Sequence, residues 1–409
     1  MIDKARRFDV AIAGGGPAGT SAAIHLATSG ARVLLVEQKK FPRAKLCGEF
    51  ISPECLRHFE RLGVADQMLA TGGASLTRTV FYSHKNRSLI VPSEWFGSNS
   101  TALGLSRAEM DQKLLDRARS CGVTVLEDAH VSDLILDRAG VQGIRVRVGN
   151  ESRDYQALIC IDATGRTRAL ARKLKTGRNA HNGVGRPGLI AFKAHFKDAQ
   201  PAEGACEIYS YPGGYGGLDQ VEGGLSNLCF IVSATEVRNA GSDPDVVLRE
   251  LVLKNPRAAQ TLARAHRCTA WLSVSIERFG RHNLAPADGL LAIGDAAAFI
   301  DPFTGSGILM ALESGEVAAQ AILDHLEKLR SEVPLAALAR DYRQRYLQTF
   351  NSRLRACSLL RRVAFVPWLA EAAILCFGAS SRLRYKIASA TRPSFQRGER
   401  VRQTSVCRD

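Results

Sequence analysis

The stretch FDVAIAGGGPAG (residues 8–19) decides the fold. An apolar run stops at three glycines, an Ala-rich segment carries on to Ser29, and GARVLLVE (30–37) follows. That order reads as strand, Gly turn, helix, strand, which is a βαβ unit. Within it, Gly14-x-Gly16-x-x-Gly19 has the spacing of a dinucleotide-binding turn. Gly14 permits the tight bend, Gly16 lets the backbone approach a pyrophosphate, and Gly19 lets the helix close on the strand. Pro17 and Ala18 open the helix, whose free N–H groups and positive dipole end suit phosphate. Glu37, 18 residues past Gly19, stands where a carboxylate accepts bonds from ribose hydroxyls, and its charge disfavours a 2′-phosphate.

Outward from that unit, 409 residues exceed one ordinary core, and 45% hydrophobic with 23% charged residues describes a globular chain rather than a disordered one. The ten cysteines form no C-x-x-C pair, so neither a zinc site nor a disulfide framework is suggested. The start, MIDKARRFDVAIAGGG, passes from charge into strand without the apolar core of a signal peptide, so a cytoplasmic protein is expected. Residues 353–409 hold 12 Lys and Arg against 3 Asp and Glu, nine charges of the net +15. The apolar run VAFVPWLAEAAILCFGA (363–379) is 17 residues long and broken by Pro367 and Glu371, short of the ~20 a spanning helix needs. Such a tail suits the inner face of an anionic membrane or an acidic electron carrier, and equally a helical pair packed on the body with a solvated basic face. Nucleic acid is not an expected partner.

Ser52-Pro53-Glu54 predicts a helix over 53–62, ended by Gly63, with Ser52 as its cap. Ser106-x-x-Glu109 is a capping box opening a helix to about Ser120. Strands are expected at 123–127, 131–137, 142–148 and 155–161. From 187 to 233, the runs LIAFKAHF, CEIYSY and LSNLCFIV alternate like strands between Gly-rich turns, which marks a substrate domain. GLLAIGDAAAF (289–299) returns to a buried strand ending in Gly294-Asp295, with a helix expected from about Thr304 to 328 and mostly helix thereafter to about Ala390.

The Gly294-Asp295 strand end presents a carboxylate to a polyol chain. Asp301-Pro302-x-x-Gly305-x-Gly307 behind it starts a helix whose N–H groups can face an electron-accepting ring. Two such motifs ask for a long ligand. FAD fits, whereas NAD has no ribityl chain to need the distal Asp295.

Residues 1–50 and 289–315, with Asp162-Ala-Thr-Gly165 between them, resemble the FAD-dependent family of aromatic hydroxylases, flavin halogenases and geranylgeranyl reductases. The resemblance implies an α/β fold: a glutathione-reductase-like Rossmann FAD-binding domain with an inserted mixed β-sheet substrate domain and a helical C-terminus. The FAD-binding domain would take 1–75, 101–175 and 271–330, the substrate domain 76–100 and 176–270, and a basic helical region 331–409. By similarity Gly14, Gly16, Gly19 and Glu37 hold the ADP half, Gly294 and Asp295 the ribityl chain, and Pro302, Gly305 and Gly307 lie at the ring. Arg107 matches a family arginine near the cofactor. Arg43-x-Lys45-x-Cys47-Gly48-Glu49 is similar to the R-x-K-x-C-G segment of geranylgeranyl reductases, beside the flavin. There, Arg43 and Lys45 would favour reduced flavin and lower the Cys47 pKa, and Gly48 would allow close approach. The alternative is that Cys47 and Glu49 only pack and cap.

The departures narrow this. Thr164 stands where hydroxylases carry an Asp, no two tryptophans have the halogenase W-x-W spacing, and the segment from Gly214 to Asp219 lacks the Trp and Pro of the reductases' Y-x-W-x-F-P. The resulting expectation is an FAD-dependent oxidoreductase delivering hydride from flavin N5 to a carbon–carbon double bond of a prenyl-like or polyketide-like molecule. The proton would come from Cys47, Tyr215 or water. The rival is a monooxygenase that hydroxylates or epoxidises such a substrate, and a non-catalytic flavin carrier or sensor at a membrane is the third reading. With one Gly-rich unit only, electrons would come from transiently bound NAD(P)H or a reduced carrier protein.

Overall fold

In a computed structural model of the chain, residues 7–96, 101–174, 188–276, 279–331, 335–364, 367–378 and 380–392 are described. The strand Arg7–Ala13 is buried on both sides. Val10 and Ile12 enter one core and Ala11 and Ala13 another, which is why its sequence is apolar throughout rather than alternating. It pairs in parallel with Val33–Val36 and with Glu151–Asp162. Thr124–Leu126 and Leu290–Ala292 extend the parallel set on either side. The antiparallel strands Gly140–Val148 and Ala129–Asp137 complete the sheet. The fold is therefore a mixed α/β one around a Rossmann-type sheet.

Helices Pro17–Thr28, Glu54–Leu62, Arg107–Ser120 and Gly307–Arg330 bury their apolar residues in one core on the sheet. The first and last of these cross closely. A Cβ on Gly315 would stand 2.5 Å from the Ala18 carbonyl oxygen, and Ser21 Oγ donates to the Leu312 carbonyl at 2.8 Å. Three local expectations change in detail. Ser52 does not cap its helix, because its hydroxyl faces Cys55 Sγ at 3.6 Å instead. Ser106 does accept from Glu109 N, but its own N–H donates at 2.9 Å to Oε2 of Glu222 in the short turn Glu222–Gly224, while Glu109 pairs with Lys113. The helix expected from Thr304 begins at Gly307, because Asp301 caps a short turn over Pro302–Thr304 and Gly305, at φ +63°, resets the chain.

The second sheet has the order His266–Arg267, Leu189–Lys197, Ser226–Ser233, Gly214–Gln220, Ala205–Tyr211, Arg78–Tyr82, Ser88–Pro92, and Leu272–Ile276 also pairs with Leu189–Lys197. Gly214–Gln220, read from sequence as part of the Gly-rich turns, is a central strand. Its glycines carry no apolar signal, yet they let neighbours approach: a Cβ on Gly214 would lie 2.0 Å from the Ile231 carbonyl oxygen. Side chains alternate across this sheet. Tyr209, Tyr211, Phe192 and Phe230 pack outward under helices Ala234–Asn239, Pro244–Glu250 and Pro256–Thr261. Ala191, Tyr215 and Ile231 face inward against Phe299 and Phe303.

The chain ends, within the described residues, in helices Ala336–Ala364, Pro367–Gly378 and Ser381–Ala390. None of the described helices is long and apolar enough to cross a membrane. Glu371, which interrupts the apolar run, is buried against the turn between Arg78–Tyr82 and Ser88–Pro92, where it accepts from Lys85 N at 3.3 Å and pairs with His84 at 3.2 Å. Much of the basic tail, residues 393–409, lies outside the described residues.

Candidate active site

A cavity of about 680 Å³ runs between the two sheets. Gly14, Gly16, Pro17, Ala18 and Glu37 line one end, and Gly294, Asp295, Pro302, Gly305 and Gly307 line it farther along. Arg43, Lys45, Cys47, Gly48 and Arg107 stand on its wall, and Tyr215 faces it from the second sheet. Every sequence-predicted site residue but Gly19 thus borders one cavity. Gly19 is packed instead, since a Cβ there would come within 1.9 Å of the Gly14 carbonyl oxygen.

The turn itself separates two uses of glycine. Gly14 has φ +111°, and a Cβ on it would meet the Ala163 carbonyl oxygen at 2.3 Å. A Cβ on Gly16 would meet only the guanidinium tips of Arg107 and Arg43, at 3.8 and 3.9 Å. The space beside Gly16 is therefore open to a ligand, and two cations flank it at a helix N-terminus, an arrangement that suits a pyrophosphate. Glu37 accepts from Gly15 N at 2.9 Å and from Lys39 N at 3.0 Å, which fixes its carboxylate at the cavity wall with lone pairs remaining. The two arginines are held by a residue that sequence reasoning missed. Asp111, fully buried, receives Arg107 through two bonds of 2.9 and 2.7 Å and Arg43 through one of 2.9 Å. The i, i+4 spacing of Arg107 and Asp111 on a capped helix was the available signal.

Asp295 sits at the start of a short turn after Leu290–Ala292, and among the described residues its carboxylate accepts no hydrogen bond. Burial raises its pKa, and the charges of Arg166, Arg107 and Lys45 work against that rise. A carboxylate so placed is suited to hydroxyl donors of a ligand. Gly16, Gly48 and Gly307 leave room as well, since a methyl group added at any of the three would meet no protein atom within 3.4 Å. The residues present therefore fit FAD.

Cys47 corrects an expectation. Burial pushes its thiol pKa up, and Arg107 and the Glu49 amide oppose that only in part, so the basic neighbours do not make it a thiolate. Its Sγ accepts from Glu49 N at 3.4 Å, and its carbonyl accepts from Asn227 Nδ2 at 3.2 Å. Glu49 does more than cap. Held at φ +58°, a costly conformation for a side-chain-bearing residue, it accepts from Arg107 N at 2.7 Å, binds Lys193 Nζ and pairs with His195 Nε2 at 2.6 Å. Its own burial would raise its pKa, but His195 and Lys193 outweigh that and lower it. Lys193 and His195 come from the second sheet, so this charge cluster ties the Arg43–Glu49 loop to that sheet. Neither residue was singled out from sequence, because nothing local marks them.

Tyr215 lies in the cavity wall with its hydroxyl donated to Asp301 and its ring edge-on to Phe303 at 5.2 Å. Burial and the Asp301 charge raise its pKa, so its proton is engaged with Asp301. Thr164, in the place of the hydroxylase Asp, is likewise engaged. It donates to Asp162 Oδ1 at 2.6 Å and accepts from Ala169 N at 2.7 Å.

The FAD binding domain family matches residues 7–336. Menaquinone reductase of Mycolicibacterium smegmatis is 29% identical over 338 residues, covering 77% of this chain and 76% of that protein. Digeranylgeranylglycerophospholipid reductase 2 of Methanopyrus kandleri is 25% identical over 376 residues, 87% of each. A geranylgeranyl bacteriochlorophyll reductase-like structure from Thermoplasma acidophilum superposes with a TM-score of 0.77 at 20% identity, covering 94% of this chain and 96% of that one, a likeness of fold. With the cavity's fit to the cofactor, these place the chain in the FAD binding domain family, as an FAD-dependent oxidoreductase.

Proposed function

We propose that the protein reduces a carbon–carbon double bond in a hydrophobic, prenyl-like or polyketide-like molecule. The observation that carries this reading is the continuity of the cavity. The same cavity carries a large apolar wall, with Phe81, Leu89, Val91, Ile208, Ile231 and Phe303 from or beside the second sheet and Ile374 and Phe377 from the helix Pro367–Gly378. An elongated apolar substrate fits such a wall, and a carrier that only passes electrons has no use for one. The names of two relatives, one for menaquinone and one for a digeranylgeranyl lipid, support a lipid-like substrate.

When bound, reduced FAD supplies an electron pair together with one hydrogen. Gly14, Gly16, Glu37, Arg43 and Arg107 would hold its ADP half, Asp295 its ribityl chain, and the Gly307 helix start would stabilise negative charge on its ring. Cys47, a neutral thiol in the cavity wall, would face the substrate. NAD(P)H or a reduced carrier protein would recharge the cofactor, and the basic C-terminal region would bring the enzyme to an anionic membrane surface where such substrates dissolve.

The test is anaerobic. Holoprotein reduced with dithionite is mixed with geranylgeraniol in a stopped-flow cell, and flavin absorbance is followed. Return of oxidised flavin without oxygen, with a product two hydrogens heavier, supports reduction. Reoxidation only after oxygen is admitted, with an oxygen atom in the product, would establish the monooxygenase reading instead.

A further inference from the structure

Asp219 is a buried acid that the reading above leaves unused. It lies on Gly214–Gln220, where the alternation that turns Tyr215 and Gly217 inward turns Asp219 inward too, and all three line the cavity. It is 1% exposed. Its Oδ2 has no hydrogen-bond partner among the described residues, and neither has Oδ1 of Asn227, its partner in the adjacent strand. Glu49, a few side chains away in the same cluster, is the opposite case, with Arg107 N, Lys193 and His195 all donating to it.

Two buried carboxyls in one cluster, one fully supplied with donors and one not, divide a single role between them. The supplied one keeps the charge. The other keeps its proton, because ionising a buried carboxyl that has one oxygen without a donor, close to a second negative charge, is costly. Burial first, and then the Glu49 charge, raise the Asp219 pKa well above the ordinary range, and Asn227 and Lys193 offset this only in part. Cys206 and Cys229, on the inward faces of the neighbouring strands, are held as neutral thiols by burial.

We propose that Asp219 is the proton donor for the reduction. This rests on the reading given under Proposed function. Saturating a double bond consumes an electron pair and two hydrogens. One hydrogen and the electron pair arrive with the cofactor, which is oxidised. The second hydrogen must arrive as a proton. The Asp219 O–H bond breaks as a C–H bond forms on the other alkene carbon, and the carboxylate left behind regains a proton from solvent before the next turnover. On reference values a carboxylic acid is a stronger acid than a thiol by roughly four to five units, and burial raises the pKa of both Asp219 and Cys47.

The experiment uses the full-length holoprotein and the anaerobic geranylgeraniol assay, with Asp219→Asn, Asp219→Glu and Cys47→Ala. Asp219→Asn is expected to bind FAD and to be reduced by dithionite as the parent is, yet to reoxidise with geranylgeraniol ~10²–10⁴-fold more slowly, the range for a lost general acid. Asp219→Glu is expected to recover part of the rate. A second readout is independent of turnover: the infrared difference between parent and Asp219→Asn at neutral pH should contain the C=O stretch of a protonated carboxyl, shifted in D₂O. Absence of that band overturns the proposal whatever the rates. A parental rate in Asp219→Asn, with slow turnover in Cys47→Ala, also overturns it and makes the thiol the donor. Failure of the parent itself to reoxidise with geranylgeraniol sinks the reductase reading, and the proton-donor role falls with it.

Discussion

Gly16 and Gly19 share a motif but not a task. Gly19→Ala drives a methyl into the Gly14 carbonyl, a backbone atom that cannot swing away, so the helix must lift from the strand. Overpacking of that kind costs about 1–3 kcal/mol or more, and the variant should show a lower melting temperature even as apoprotein. Gly16→Ala meets only the ends of two flexible arginines. Its apoprotein should melt within about 1 kcal/mol of the parent, while FAD affinity falls at least tenfold in an absorbance titration of the apoprotein. Equal FAD affinity in Gly16→Ala would place the pyrophosphate elsewhere. At the same scale, Asp111 shows how a residue absent from any motif governs residues that are in one, since both arginines at the turn take their orientation from its carboxylate.

Between elements, the fold is pinned by a few buried acids. Asp9 on the first strand receives Arg32, before the second strand, and Arg330, in the last turn of the long helix Gly307–Arg330. Burial alone would raise its pKa, but the bonds from Arg330 and Arg32 outweigh burial and bring it down to about 2. A folded-state pKa below the unfolded value means stability that is present above about pH 4 and lost as pH falls toward 2. The guanidiniums are 60% and 39% exposed, so screening trims the gain to about 1–2 kcal/mol. Asp9→Asn should therefore be less stable than the parent by that amount in urea at pH 7, with the gap closing as both are acidified below pH 4. A gap that stayed constant with pH would show that the ion pairs are not its source. Glu371 is a second buried acid between elements, tying the helix Pro367–Gly378, whose Ile374 and Phe377 line the cavity, to the Ser83–Arg87 turn.

For the molecule as a whole, the cavity reaches the C-terminal helices, whose outer surfaces expose Leu359, Leu375, Leu383 and Tyr385. Those apolar side chains lie in the basic part of the chain. If that face meets an anionic bilayer, the full-length protein should cosediment with vesicles containing anionic phospholipid at low salt, and binding should weaken as salt rises, since exposed charges are screened beyond about 8 Å at physiological ionic strength. Vesicles of neutral lipid should bind it less. Binding that ignored both salt and lipid charge, or no binding at all, would leave the helices as packing elements with a solvated basic surface.

The sequence by itself determined the strand, Gly turn and helix that border one part of the cavity. Gly14, Gly16, Gly19 and Glu37 are legible because strand, turn, helix and acid follow one another within thirty residues, and local spacing is all their roles require. Asp295 and the Gly305-x-Gly307 helix start were legible for the same reason. What tertiary structure alone decided is the chemistry at the junction of the two sheets. Whether Cys47 is a thiolate depends on burial, which no local pattern displays, and burial outweighed its basic neighbours. The roles of Glu49 and Asp219 depend on Lys193, His195 and Asn227, brought beside them from strands 100 residues and more away from Glu49 by a register that depends on a glycine-rich strand with no hydrophobic signature. A carboxyl's charge is set by its donors and its solvent exposure, and both are properties of the folded chain.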